Sequence, residues 1–204
     1  NLAILLANEN QHGPAIVHLQ SVLSIDPNDP SARLFLAREL LRSKRTEEAL
    51  VEFSRVVEAD PNNEDALLEQ VRLLQQKKQY QQALDSLEIG HAKYPKKGRT
   101  ALMLAYLLAA SPQYDLRNGA QALELAQMIY KATGSLENGA IVAMALAELG
   151  RCTEAAEWQR RMIAAAAPER EKDLLAKLNA DLKGYEQGQP CRPPGETAGQ
   201  ANPN

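Results

Sequence analysis

The sequence predicts an all-α fold, a right-handed α-solenoid of stacked helix-turn-helix repeats that ends in a C-terminal capping helix. Three observations lead to this prediction. Ala and Leu together supply about 30% of the 204 residues, whereas Val, Ile and Thr together supply under about 10%, which favours helices over strands. A spacing of 34 residues recurs along the chain. Within each period, apolar side chains return at the spacing of amphipathic helices.

The 34-residue period is visible in several independent sets of positions. Dipeptides that end in proline recur at this interval, namely Asp26-Pro27, Asp60-Pro61 and Tyr94-Pro95. Three sets of apolar residues share the interval: Ala15, Ala49 and Ala83; Leu19, Phe53 and Leu87; and Leu6, Leu40, Leu74 and Leu108. Fixed self-similarity of about 20–50 residues is typical of a solenoid, in which each repeat buries its apolar face against its neighbours.

The second period illustrates the two helices of each repeat. Its first helix is predicted from an apolar face made of Leu36, Ala37, Leu40 and Leu41. Its second helix is predicted from Ala49, Leu50, Phe53, Val56 and Val57. Residues 43–46 form the turn, with Thr46 expected as N-cap and two glutamates following it in the first helical turn, where the helix dipole favours negative charge.

These residues resemble the tetratricopeptide repeat. In that pattern the first helix carries Leu, a small residue and an aromatic residue or Leu. The second carries Ala, an aromatic residue or Leu, and a small or aliphatic residue, and Pro closes the repeat. Repeat two, at about 30–63, matches this pattern best. Repeat three, 64–97, departs from it because Gln70 and Val71 occupy the positions of the Leu-Gly pair.

The resemblance implies five repeats over residues 1–168, a capping helix over 169–187 and an irregular tail over 188–204. Repeat one is expected to be truncated at its N-terminus, and repeat four carries a lengthened turn at 111–119. Five apolar residues predict one face of the capping helix: Leu174, Leu175, Leu178, Leu182 and Tyr185. Repeat arrays require such a helix to cover the last hairpin. The tail is rich in Gly, Pro, Gln and Asn, a composition typical of non-helical chain.

Charge and hydropathy exclude two classes of partner. The net charge is −3 and the sequence pI is near 5.7, so we expect no nucleic-acid binding, which needs a basic stripe. No apolar run approaches the roughly 20 residues that span a bilayer, so we expect no direct membrane insertion. The chain does not begin with Met and shows no signal-peptide pattern, which leads us to expect a processed or excised piece.

The search for catalytic and metal-binding patterns finds none in the sequence. The three histidines, His12, His18 and His91, lack a second ligand at helical spacing, so structural or surface roles are expected for them. No P-loop, nucleophile elbow or dinucleotide-binding pattern occurs. Trp158 lies between apolar positions of a second helix and is expected to pack. We therefore expect no enzymatic activity, no metal and no cofactor.

The resemblance implies a candidate binding surface, because the first helices of such repeats line a concave groove. Six residues at the groove positions are the candidates for contact with a partner: Arg38, Arg42, Arg72, Gln76, Arg99 and Tyr106. Arginines beside a tyrosine suit a protein or peptide segment that carries carboxylates. The alternative is an ordinary solvated face, since Arg is also a good helix former.

Two functions agree with this pattern. In the first, the chain is a non-catalytic scaffold that binds a partner segment in the groove or along its faces within a larger assembly. In the second, it is the non-catalytic repeat region of a larger enzyme or of a transport or secretion protein whose active domain preceded residue 1. The sequence does not identify the partner or the oligomeric state.

Cys152 and Cys191 are the only cysteines. In the resembling repeats, aromatic residues are common at both positions, and the end of the capping helix is expected beside the turn before Cys152. The two thiols are therefore candidates for a disulfide, which would indicate a periplasmic or secreted protein. The alternative is a buried Cys152 that acts as a small apolar residue and a free thiol in the tail, which would fit a cytoplasmic protein.

Overall fold

The computed structural model describes residues 2–96, 98–167 and 172–189, and within these ranges it contains eleven α-helices and no β-strand. The helices are α1 (Leu2–Asn8), α2 (His12–Ile25), α3 (Pro30–Arg42), α4 (Thr46–Ala59), α5 (Glu64–Gln76), α6 (Tyr80–Lys93), α7 (Gly98–Ala110), α8 (Gly119–Thr133), α9 (Leu136–Glu148), α10 (Cys152–Ala165) and α11 (Lys172–Glu186). The predicted all-α fold of helical hairpins is confirmed.

The chain divides into two compact units, Asn1–Lys97 and Gly98–Asn204. In the first unit, each helix from α1 to α6 packs against the next along the chain. In the second unit, α7 packs against α8, α9 against α10, and α11 against α10. The helices α7 and α9 also pack directly against each other. Each unit is therefore a stack of antiparallel helical pairs.

Periodic alanines bring the paired helices of the first unit close together. Ala15, Ala49 and Ala83 occupy the same position in α2, α4 and α6, and none has exposed surface. One turn further along, Phe53 and Leu87 are also fully buried. A small side chain followed by a large one lets the neighbouring helix approach and then fills the remaining space. This packing explains why the 34-residue spacing is visible in the sequence.

The turns within the first three repeats share one backbone conformation that has no signature in the sequence. Asn10, Lys44 and Lys78 stand 34 residues apart, and all three have φ near +60°. At the second of these turns, the N–H of Lys44 donates to Leu41 and the N–H of Arg45 donates to Leu40. These bonds form a Schellman motif, which satisfies the last carbonyls of the preceding helix through the left-handed residue.

The expectation that Thr46 caps α4 is wrong. Thr46 is the first residue of α4, and the N-cap is Arg45, whose side chain makes no capping hydrogen bond. The Arg45 guanidinium instead donates to both carboxylate oxygens of Glu48, at 2.7 Å each. The backbone geometry of the turn, rather than a side-chain cap, therefore starts the helix.

The long turn of repeat four is anchored by an arginine. Between α7 and α8 the chain forms a short 3-10 turn at Tyr114–Leu116. The Arg117 side chain is only 1% exposed. Its Nε donates to the carbonyl of Ser111 at 2.6 Å, and its Nη1 lies 3.1 Å from a carboxylate oxygen of Glu148. The guanidinium carbon also lies 4.2 Å from the centroid of the Tyr114 ring. Leu104 and Ala122 remain buried on either side of this turn, as expected.

The helix α11 covers part of the second unit. Leu178 and Tyr185 are buried, and the Gln159 side-chain amide donates to the carbonyl of Leu178 at 3.0 Å. Of the predicted cap at 169–187, the structure describes α11 and Gln187, whereas 169–171 lie outside the described residues. In the tail, only Gly188 and Gln189 are described.

Trp158 packs, as the sequence predicts. Its indole N–H donates to the carbonyl of Gly139 at 2.8 Å, and its ring meets that of Tyr130 edge-on with centroids 5.3 Å apart. A β-carbon at Gly139 would stand 2.2 Å from the sulfur of Met162, so a larger residue there would force the Met162 side chain to move.

In the part of the chain that the structure describes, no helix combines the length and the apolar character needed to cross a membrane.

Candidate partner-binding surfaces

A groove in the first unit is formed by α1, α2 and α3, with a volume of about 580 Å³. We call it the α1–α3 groove. Its apolar side chains include Ile4, Leu19, Val22 and Phe35. Ile4 is 44% exposed and Val22 is 41% exposed, although both are aliphatic. The groove therefore offers apolar surface that a bound segment could remove from water.

Two of the predicted binding residues, Arg38 and Arg42, stand on the polar side of this groove. They are four residues apart on α3, so their side chains lie one helical turn apart on the same face. Arg38 lies 3.5 Å from Asp65, and Arg42 lies 2.5 Å from Glu39. A guanidinium has five N–H donors, so most donors of both side chains remain available to a ligand.

Arg42 is held by a carboxylate that has no exposed surface. Glu39 is fully buried; one oxygen contacts Arg42, and the other lies 2.7 Å from Nδ1 of His12. The corresponding position in repeat three is Leu73, which is also fully buried. Glu39 therefore replaces an apolar core residue of the repeat, and its burial requires the two partners that it has.

The other predicted binding residues lie elsewhere. Arg72 and Gln76 are exposed on α5 and do not line the α1–α3 groove. Arg72 already donates through both Nε and Nη2 to one oxygen of Glu69, at 3.0 and 2.6 Å. Arg99 is exposed and Tyr106 is half-buried, both on α7 of the second unit. The structure therefore brings together Arg38 and Arg42 alone among the predicted residues of the first unit.

Ile4, Asn8 and Phe35 also line the groove, although none of them is among the predicted binding residues. The 34-residue period offers a signal for two of them, because Ile4 corresponds to Arg38 and Asn8 to Arg42. The truncated first repeat has no complete pattern from which the groove positions of α1 can be assigned. Phe35 has no such signal, since Glu69 stands at its position in repeat three.

Acidic residues at helix starts behave as structural groups. The hydrogen bond from Arg45 holds the pKa of Glu48 below its ordinary value, and the bond from Arg151 does the same for the pKa of Glu154. In α9, the hydroxyl of Ser135 lowers the pKa of Glu137. These exposed carboxylates are charged partners of neighbouring groups. Among the described residues, no three His, Cys, Asp or Glu side chains stand close enough together to hold a metal ion.

Cys152 begins α10 and is half-buried. It lines a cavity of about 310 Å³ together with Tyr185, Glu186 and Gly188, which belong to the end of α11 and the turn after it. An ion pair of 2.7 Å between Arg160 and Glu186 holds the two helices together there. The end of α11 therefore lies beside Cys152, as expected. Cys191 and the predicted disulfide lie outside the described residues.

Comparison with solved structures finds α-helical repeat proteins of low sequence identity. A tetratricopeptide repeat protein from Parabacteroides merdae is 16% identical with a TM-score of 0.74, covering 91% of this chain and 71% of that one. YrrB, described as a TPR protein with an unusual peptide-binding site, is 19% identical with a TM-score of 0.67 over 87% and 89%. MamA from Desulfovibrio magneticus RS-1 is 19% identical with a TM-score of 0.63 over 80% and 90%. These likenesses support the solenoid fold.

Among curated proteins, no match to the sequence was found. The family Tetratricopeptide repeat matches the sequence twice, over residues 6–71 and 40–105. These stretches contain the helical pairs, the periodic alanines and the left-handed turns described above. Residues 6–105 therefore belong to the tetratricopeptide-repeat family.

Proposed function

We propose that the chain is a protein-interaction scaffold whose α1–α3 groove binds a segment of a partner protein that carries apolar side chains and a carboxylate. The tetratricopeptide-repeat fold supports a role in protein–protein interaction in general. That YrrB is described as having a peptide-binding site supports a peptide segment as the class of ligand. The observation that carries the proposal is the meeting of exposed aliphatic surface with two arginines in one groove.

The apolar part of the groove supplies the non-directional share of the binding. Ile4, Val22 and Phe35 come from three different helices and line a single concavity. Aliphatic or aromatic side chains of the ligand would bury this surface, at roughly 25 cal/mol for each Å² removed from water. This contribution does not fix the direction in which the segment lies.

The arginines supply the orientation. Guanidinium groups pair with carboxylates through two parallel hydrogen bonds, and Arg38 and Arg42 stand one turn apart on α3. Glu39 already fixes the position of the Arg42 guanidinium. Binding would therefore cost less side-chain conformational entropy at Arg42. A carboxylate of the ligand, either a side chain or the C-terminus, is therefore expected at this end of the groove.

The proposal is tested by selection from a phage-displayed library of random peptides, followed by affinity measurements with the selected peptides. We expect selected peptides to combine aliphatic or aromatic residues with Asp, Glu or a free C-terminus. The double variant Arg38→Gln and Arg42→Gln, which keeps a side-chain donor at position 42 for the buried Glu39, should lose at least about tenfold in affinity, or ~1.4 kcal/mol. The matched control is Arg72→Gln on α5, which should bind as the wild type does. Equal losses in both variants would contradict the proposal.

A further inference from the structure

A second concavity of the first unit lies between α4 and α6 and includes side chains of α5. Its volume is about 480 Å³. We call it the α4–α6 cleft. Its lining includes apolar Leu50, Val51 and Leu74, together with polar Glu58, Gln70 and Gln79. None of these residues lines the α1–α3 groove, so the cleft is a separate surface.

The polar character of the cleft comes from the departure of repeat three from its family pattern. Gln70 stands at the position that Leu36 occupies in repeat two, where the leucine is buried. The Gln70 side-chain N–H donates to the hydroxyl of Ser54 at 3.0 Å. Its amide oxygen is buried and has no donor, and the same is true of the amide oxygen of Gln79. The cleft therefore contains two acceptors that lack a hydrogen-bond donor.

The cations that line the cleft do not supply these donors. Lys77 forms an ion pair with Glu47, and the Arg55 guanidinium lies 2.6 Å from a carboxylate oxygen of Glu52. Glu58, in contrast, makes no ion pair within the described residues. Within the described part of the chain, the cleft thus contains an exposed carboxylate without an ion-pair partner and two buried amide oxygens without a donor, all of which accept hydrogen bonds.

We propose that the α4–α6 cleft binds an arginine side chain of a partner protein. A guanidinium carries five donors in a planar fork, so one group can donate to the Gln70 oxygen and also pair with Glu58, which stands one helical turn after Ser54, the partner of Gln70. The methylene stem of arginine would lie along Leu50, Val51 and Leu74, since long cationic side chains pack their stems on apolar surface. The ligand charge proposed here is opposite to the one proposed for the α1–α3 groove, and the inference goes beyond the proposed function.

The probe for this site is Nα-acetyl-arginine amide, titrated into the isotope-labelled full chain and followed by the side-chain amide signals in two-dimensional NMR spectra. We expect saturable shifts of the Gln70 and Gln79 signals at millimolar probe. Nα-acetyl-citrulline amide, which has nearly the same shape without the charge, should bind at least about fivefold more weakly. Shifts scattered over the acidic surface, or equal binding of the two probes, would overturn the proposal.

Two variants locate the site. Gln70→Leu restores the residue type of repeat two and is therefore expected to fold, and Glu58→Gln removes the carboxylate. Each should weaken binding of the arginine probe at least about fivefold, by loss of an acceptor. The control is Glu88→Gln, an exposed residue of α6 outside the cleft, which should leave binding unchanged. Circular dichroism checks the fold, and unchanged binding by folded Gln70→Leu refutes the assignment.

Discussion

Oε2 of Glu39 lies 2.7 Å from Nδ1 of His12, and this contact joins α3 to α2 across 27 positions of the sequence. The same carboxylate contacts Arg42 through its other oxygen. Glu39 has no exposed surface, so these two partners replace the water that it loses on folding. Through Glu39, α2 is therefore linked to Arg42 on the arginine side of the α1–α3 groove.

Replacing His12 with alanine should destabilise the first unit, because it leaves a buried carboxylate with one partner fewer. We expect His12→Ala to lower the free energy of unfolding by about 1–3 kcal/mol, measured by urea denaturation. His18→Ala is the matched control; it is exposed on the same helix and should stay within about 0.5 kcal/mol of the wild type. Equal effects of the two changes would mean that the His12 contact contributes nothing.

Replacing Glu39 with leucine separates stability from binding. Leucine is the residue at the same buried position of repeat three, and Arg42 and His12 are partly exposed, so removal of the Glu39 carboxylate leaves no buried charge unpaired. We expect Glu39→Leu to keep its thermal stability but to bind groove-selected peptides several-fold more weakly, because Arg42 loses its support. Calorimetry and affinity measurements on the same sample test both parts. Wild-type affinity would show that Glu39 does not position Arg42.

Glycine should stabilise the left-handed positions in the turns. Lys44 and Lys78 have φ near +60°, a conformation that costs side-chain-bearing residues free energy and costs glycine little. We expect Lys44→Gly and Lys78→Gly each to raise the free energy of unfolding by about 0.5–1 kcal/mol. Ser43→Gly, at a neighbouring position with φ of −79°, should lower it instead. Gains of the same size at all three positions would contradict the argument from φ.

The hydrogen bond and ion pair of Arg117 should be necessary for the stability of the second unit. Arg117→Ala removes a nearly buried cation that bonds both the Ser111 carbonyl and Glu148. Breaking such a buried pair costs about 3–5 kcal/mol, so we expect a loss near the lower end of that range, since Glu148 is partly exposed. The fluorescence of Trp158, the single tryptophan, reports unfolding of this unit. Arg117→Lys keeps the charge and should recover only part of the loss.

We expect Cys152 and Cys191 to form a disulfide under oxidising conditions. Two thiols would lose two protons and two electrons to a small disulfide oxidant such as oxidised glutathione. By chain entropy, the closed loop of about 40 residues should stabilise the second unit by ~4 kcal/mol, less any strain in the bond. The measurement is the intact mass of the native protein without reductant, with Cys152→Ser as control. Two free thiols in that protein would remove the reason to place it outside the cytoplasm.

The hairpins could be predicted from the sequence because they depend on local spacing. Ala49 and Phe53 repeat at 34 residues since each pair of helices meets through the same small and large positions. Side-chain caps have a sequence signature, and for this reason the sequence predicts Thr46 as the N-cap of α4. The left-handed turn at Lys44 carries none when the residue is lysine rather than glycine, so it could not be predicted.

The candidate site was predictable only where position in the helix determines exposure. Repeat positions predict that Arg38 and Arg42 face the groove, and both line the α1–α3 groove, whereas their role in binding stays a prediction. The same rule predicts Arg72, which does not line this groove. Glu39 was missed because its burial depends on His12, a partner 27 residues away. Such contacts form only when the helices pack against each other, so the 34-residue period cannot predict them.

The proposed function depends on the binding of partner segments in the α1–α3 groove. Its most direct test is to titrate a library-selected peptide into the isotope-labelled chain and map the amide shifts by residue. The largest shifts are expected on α1 and α3, around Ile4, Phe35 and Arg38, and should vanish in the Arg38→Gln, Arg42→Gln variant. Saturable shifts centred on other helices, with these three residues unmoved, would contradict it.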